Sequence, residues 1–163
     1  MNTPDFDKAK FRKTLGQFAT GVTVITTLGA DERRVGVTVS SFNSLSMNPP
    51  MILWSLGKSA YSLPAFQQAD FFNVHVLGAE QGALSRCFSN PGADKFNGIK
   101  TQKGLGGAPV LPEHAALFEC KTAHLYEGGD HIIIVGEVIK FSCNNTTPLV
   151  FHRGQYRGID SLA

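Results

Sequence analysis

Thr38, Ser40 and Ser41 lie in the run Gly36-Val37-Thr38-Val39-Ser40-Ser41-Phe42, where strand alternation sends Thr38 and Ser40 to one face and Val37 and Val39 to the other. A wall of small hydroxyls can hydrogen-bond the polar edge of a flat heterocycle without filling the space its rings need. The same residues also suit the end of an ordinary strand, since Thr favours strands and Ser favours turns. Lys58, Ser59 and Ser62 form a second group. At a helix N-terminus an ammonium, two hydroxyls and orphan backbone N–H groups could hold one phosphate monoester, although capping alone asks for the same serines. His131 follows Gly128-Gly129-Asp130 and opens the apolar run Ile132 to Val135, which sets an imidazole at a strand mouth within reach of solvent and ligand together. An Asp that bonds its own backbone in a turn explains that segment equally well. Lys95-Phe96 pairs a cation able to neutralise phosphate with a ring able to cover a heterocycle, or else a surface lysine with an anchoring phenylalanine.

Other chemistries lack their residues. Leu56-Gly57-Lys58-Ser59 ends like a phosphate loop, but the first glycine of that motif would fall at position 52, which is Ile52 inside an apolar run. Gly104-Leu105-Gly106-Gly107 has neither the spacing nor the strand-to-helix context of a dinucleotide fingerprint. The histidines, at 75, 114, 124, 131 and 152, show no metal-ligand spacing, so no metal is expected. Cys87, Cys120 and Cys143 are odd in number and far apart, which suggests reduced and mostly packed thiols. A formal charge of +2 with scattered Lys and Arg gives no basic stripe for nucleic acid. No run approaches the roughly 18 apolar residues of a membrane helix, and Met1 to Lys13 is polar where a signal peptide has its apolar core. The cytoplasm is therefore the expected location.

The elements that must position these residues are mostly strands. At 163 residues the chain suits one domain, 1–163, with a core of its own, and 17 Gly and 8 Pro point to many turns between short strands. Thr3-Pro4-Asp5 supplies a cap, and Phe11, Leu15 and Phe18 recur at helical spacing, so an amphipathic helix is predicted from about Phe6 to Phe18. Val22 to Thr27 and Arg34 to Ser40 read as a β-hairpin about Gly29-Ala30-Asp31-Glu32. Further strands are predicted at Met51 to Leu56, Phe71 to Leu77, Leu117 to Tyr126, His131 to Phe141 and Pro148 to Phe151. Short helices are predicted at Tyr61 to Gln68, capped by Ser59, and at Glu80 to Phe88. The Gly- and Pro-rich stretch from Asn90 to Pro112 is too long for a simple connector and reads as a functional or dimer-facing loop. The sum is a mainly β domain, a barrel or sandwich with a few helices.

Phe18-Ala19-Thr20-Gly21-Val22-Thr23-Val24, the Gly36 to Phe42 run, Pro49-Pro50, Lys95-Phe96, Gly129-Asp130-His131 and Pro148-Leu149, taken in order, resemble the short-chain NAD(P)H:flavin reductase family, from about Phe11 to Ile159. The resemblance implies a split β-barrel of Greek-key topology, FMN-binding split-barrel type, assembled as a homodimer. It further implies reduction of FMN or FAD by NADH or NADPH, with the reduced flavin passed to a partner monooxygenase. By that likeness Thr38, Ser40 and Ser41 line the isoalloxazine, with Ser55 and Leu56 flanking it. Lys58, Ser59 and Ser62 face the phosphate, Lys95 and Phe96 close over the site, and His131 meets the nicotinamide as the catalytic residue. Hydride transfer between two stacked rings needs no protein nucleophile, which agrees with a chain that has no Ser-His-Asp set and no thiolate motif. A non-catalytic flavin- or haem-binding split-barrel protein is the alternative.

Overall fold

Thr23 pairs with Val39 and Leu28 with Arg34 across a tight turn, so β2 (Thr23–Leu28) and β3 (Arg34–Val39) form the predicted hairpin. The turn is closed by the Gly29 N–H donating to the Arg33 carbonyl at 2.8 Å, and Glu32 takes a left-handed φ of 60° there. The structure, a computed structural model, describes residues 6–92 and 94–160. The remaining elements are α1 (Lys8–Leu15), β1 (Thr20–Gly21), β4 (Asn43–Met47), β5 (Pro50–Gly57), α2 (Leu63–Gln68), β6 (Phe71–Val76) and α3 (Gly82–Ser89). They are followed by β7 (Gln102–Lys103), β8 (Pro109–Val110), β9 (Ala116–Gly128), β10 (His131–Cys143), β11 (Val150–His152) and β12 (Gln155–Arg157).

A seven-stranded antiparallel sheet runs in the order β3-β2-β6-β9-β10-β5-β4. It curls until its ends meet. The Ser41 hydroxyl, just beyond β3, donates to the Ser55 carbonyl at 2.8 Å and accepts from the Ser55 N–H at 3.0 Å, which ties the two margins together. Inside the curl, Ile25, Trp54, Phe66, Phe72, Val74 and Ile134 form one core, with Trp54 edge-on to Phe66 at 4.9 Å and to Phe72 at 5.8 Å. A second core of Val22, Val24, Leu77, Phe88, Phe96, Leu111 and Leu149 lies on the other face of the hairpin.

With a core on each side, β2 is buried from Thr23 to Thr27, so its threonine hydroxyls need partners. Each has a carbonyl: Thr23 on Val39, Thr26 on Pro109, Thr27 on Phe71. His75 of β6 is also fully buried between the layers.

Several expectations change at their edges. The first helix is shorter than predicted, starting after Asp7, whose Oδ1 accepts from the Lys10 N–H at 2.9 Å; the predicted cap Thr3-Pro4-Asp5 lies outside the described residues. Its apolar stripe is left largely uncovered by the described chain: Phe11, which touches only the ring of Phe6 among the aromatic pairs, Leu15 and Phe18 are 47%, 58% and 78% exposed. α2 begins at Leu63 rather than Tyr61, with Ser62 and not Ser59 at its cap, because Pro64 is tolerated only in a first turn. β4, absent from the prediction, runs along β5. Cys120 is packed, its thiol pushed up to about 12 by burial, whereas Cys87 and Cys143 are exposed, against the expectation of mostly packed thiols.

Candidate functional site

The hydroxyl run does form a wall. Thr38 to Ser41 face Ser55, Leu56, Gly57 and His131 across a cavity of about 300 Å³. Two of the hydroxyls are already engaged, Thr38 donating to the Ser85 carbonyl at 2.7 Å and Ser41 holding Ser55 at the barrel seam. Ser40 is the exposed member at the mouth. Val35, Val37 and Val39 turn the other way, onto the barrel core, as alternation requires.

His131 reaches this cavity through register. The β9–β10 turn sets His131 opposite Gly128, and the β5–β10 pairing sets it opposite Gly57. Gly129 supplies the φ of +69° that the turn needs. The ring's Nδ1–H donates to the Asp130 Oδ1 at 2.7 Å. That hydrogen bond, and then the imidazolium charge with a smaller share from Lys58, holds the Asp130 carboxyl below its ordinary value. Lys58 grips the same turn at both ends, its N–H donating to the Asp130 carbonyl at 2.8 Å and its ammonium paired with the Glu127 carboxylate.

A second, larger cavity of about 1040 Å³ is lined by residues that precede the Thr38 to Ser41 segment and follow the Ser55 to Gly57 segment. Arg33 to Val37 form one side, Ala60 to Ala65 another, and Ser89 to Gly92 with Asp94 to Phe96 the third. Ser62, Lys95 and Phe96 line this cavity, while Lys58 and Ser59 sit on the chain between the two. The predicted site residues are therefore not brought round one cavity: Thr38, Ser40, Ser41, Ser55, Leu56 and His131 line the small one, Ser62, Lys95 and Phe96 the large one, and Lys58 and Ser59 neither. Lys95 is turned inward: its ammonium donates to the Phe88 carbonyl at 3.0 Å and to the Gly36 carbonyl at 3.2 Å. Desolvation lowers its pKa. Phe96 is 2% exposed, packed edge-on against Phe88 at 5.0 Å, with the Arg34 guanidinium 4.9 Å from its ring centre.

Arg33, Arg34, Tyr61 and Glu127 are not among the site residues expected from the sequence. An Arg-Arg pair beside a strand start was the available signal for the first two; the pairing of Lys58 with Glu127 exists only through the registers of β5, β10 and β9.

Comparison with known proteins gives concordant results. The family model described as flavin reductase like domain matches residues 15–160. The chain is 43% identical to the FMN reductase (NADH) SmoA of Agrobacterium fabrum over 90% of this chain and 83% of that protein. It is 39% identical to the flavin-dependent monooxygenase reductase subunit HsaB of Rhodococcus jostii, over 94% of this chain and 79% of that one. One longer relative, from Rhizobium meliloti, is matched over only 50% of its own length by 96% of this chain. Among solved structures, the NADH:FAD oxidoreductase SgcE6 of Streptomyces globisporus, in complex with NAD and FAD fragments, superposes with a TM-score of 0.89 at 35% identity, covering 94% of this chain and 93% of that one.

Proposed function

The chain belongs to the family of flavin reductase-like domains, and from that membership we propose that it is an NAD(P)H:flavin oxidoreductase whose reduced FMN or FAD serves a monooxygenase component. The observation that carries this reading is the meeting of the hydroxyl wall and His131 around one small cavity. A flat ring fits there. No lining side chain is larger than Leu56 or His131, and Gly57 leaves open the place where a Cβ would stand 3.8 Å from the His131 Nε2.

When bound, flavin supplies a ring that accepts hydride from the nicotinamide C4. The chain's share is placement. Ser40 and the neighbouring backbone hydrogen-bond the ring's polar edge, while Ser41 keeps Ser55 and Leu56 in line by fixing the seam. Lys58, Ser59 and Ser62, which follow Gly57 of the cavity wall along the chain, are the residues we assign to the phosphate, Ser62 from the wall of the larger cavity. Lys95, tied to the Gly36 and Phe88 carbonyls, and the buried Phe96 stiffen the wall of the larger cavity. His131, held by Asp130, orients the nicotinamide from the open side.

The assembly we propose is a homodimer in the cytoplasm, where NADH and NADPH are at hand. The unpartnered α1 stripe supports a second copy, as do Met47 at 91% and Phe141 at 77% exposure, since isolated chains seldom leave so many large apolar groups uncovered. Among the described residues no helix is long and apolar enough to cross a membrane.

Purified protein mixed with NADH or NADPH and FMN or FAD is expected to lose nicotinamide absorbance in a flavin-dependent way. Absence of turnover in all four pairings overturns the assignment. Light scattering on the same sample tests the dimer.

A further inference from the structure

We propose that Tyr156, which lines neither cavity, is a positioning residue for the small chamber: acting through Ser85, it fixes the orientation of the Thr38 hydroxyl in the wall that meets the flavin ring. The inference rests on the reductase reading and adds a residue of the C-terminal hairpin to the machinery of that site.

The relay begins in β3. Gly36 and Thr38 share one face of the strand by alternation, and α3 rests directly on that face, since a Cβ at Gly36 would overlap the Phe88 ring. Ser85 stands one helical turn before Phe88 on the same buried side of α3. Its carbonyl accepts the Thr38 hydroxyl at 2.7 Å, and the Ser89 hydroxyl donates to the same oxygen, also at 2.7 Å. Thr38 has thus spent its one hydroxyl hydrogen on the helix. What it offers a ligand is lone pairs, so it can accept an N–H from the edge of a ring and cannot donate to a carbonyl there.

β12 holds the helix at the same residue. The Tyr156 hydroxyl donates to the Ser85 Oγ at 2.7 Å. Ser85 is 1% exposed, so the bond is made in the interior, and its loss leaves a buried hydroxyl short of a partner. Packing explains the tyrosine ring but not its oxygen. The ring lies 5.8 Å from that of Phe151, has the Arg86 guanidinium 5.6 Å from its centre and packs on the second core, contacts that a phenylalanine would make equally well. The hydroxyl adds a fixed seat for Ser85, and Ser85 carries the acceptor that turns Thr38 toward the helix. β12 belongs to the three-stranded sheet β1-β11-β12, which shares no strand with the barrel, so the bond couples the C-terminal hairpin to the chamber wall by way of α3. Once that seat loosens, the Thr38 hydrogen is free to swing into the chamber, where it sets donor against donor at a ring N–H.

Fluorescence titration with FMN and, separately, FAD, with no nicotinamide present, tests the relay. Tyr156→Phe keeps the ring contacts and is expected to raise both flavin dissociation constants about fivefold, since the wall meets the ring that the two flavins share. Ser85→Ala removes the same bond from the helix side and is expected to act by a similar factor. In steady-state kinetics the KM for flavin rises while the KM for NADH stays within about a factor of two. A double-mutant cycle separates orientation from simple loosening. Thr38→Val alone weakens flavin binding, and Tyr156→Phe added to it is expected to bring no further loss, because no hydroxyl is left to orient. A thermal melt of each variant confirms that it folds. Losses that multiply in the double variant overturn the inference, as does a flavin affinity unchanged by Tyr156→Phe; a lowered melting temperature beside either result gives the bond to stability alone. Binding and reduction of flavin by the unmodified protein keep the reductase reading whichever way the cycle falls, whereas their absence removes the reading and the inference together.

Discussion

The Asp130 carboxylate and the His131 ring are joined at 2.7 Å through Oδ1 and Nδ1, which turns the other ring nitrogen, Nε2, toward Gly57 and the small chamber. Neighbours in sequence are thus used as holder and tool. His131→Ala is expected to raise the KM for NADH about tenfold while leaving the flavin dissociation constant within about a factor of two. Asp130→Asn, which keeps the turn but loosens the ring, should raise that KM about threefold with kcat little changed. Steady-state kinetics beside flavin titration reads both; equal losses in nicotinamide use and flavin binding would remove the role given to His131.

His75 sets a pH limit on stability. Its Nδ1–H donates to the Val24 carbonyl at 3.0 Å and its Nε2 accepts from the Leu111 N–H at 3.0 Å, so the ring is neutral, and a proton on Nε2 would set donor against donor. Burial first, and His114 in smaller part, lower its pKa from 6.5 to about 4 despite the Val24 carbonyl. The unfolded chain therefore takes up a proton near pH 6.5 that the folded chain refuses until about pH 4, and stability is full above that window and falls as pH drops through it. The loss amounts to about 3 kcal/mol from this group. Urea midpoints between pH 7.5 and 4 measure it, and His75→Gln should flatten the slope; an unchanged slope sinks the claim.

The barrel seam depends on one hydroxyl. Ser41→Ala leaves the Ser55 N–H and carbonyl without their partner, at a cost of about 1–3 kcal/mol. Ser55 also lines the small cavity, so if flavin binds there as proposed, weaker flavin binding should accompany the lower melting temperature. A variant as stable as the parent would show that water replaces the hydroxyl without penalty.

Gly36 allows β3 to pass beneath α3. A Cβ there would stand 2.4 and 2.6 Å from atoms of the Phe88 ring, and 3.2 Å from Phe96. Gly36→Ala is expected to cost about 1–3 kcal/mol by overpacking, with Phe88→Leu restoring part of it in the double variant. Denaturant unfolding of the three proteins decides the matter, and additive losses would show that the crowding is not at Phe88.

Local pattern carried a good share of this in advance. The hairpins of β2 with β3 and of β9 with β10 were readable because apolar alternation and Gly-containing turns agree at those places. The edge strand β4 was not, since Asn43-Ser44-Leu45-Ser46 has the composition of a turn and becomes a strand only against β5. α1 was legible as a helix but not in length, because its apolar stripe continues past Leu15 with no surface of its own chain to hold it. At the candidate site, spacing and family likeness single out Thr38, Ser40, Ser41 and His131, and the structure sets them around one cavity. The contact of Arg34 with the Phe96 ring has no local signal, because the two residues stand far apart in the chain and meet only in the fold.

Trp54, the chain's single tryptophan, is fully buried one residue before Ser55 at the cavity wall. Because indole emission overlaps flavin absorption, the barrel carries a built-in energy donor beside its own ligand. Occupancy of the chamber can thus be followed in the dark of the chemistry, with no nicotinamide present and no label attached, by the dimming of one residue.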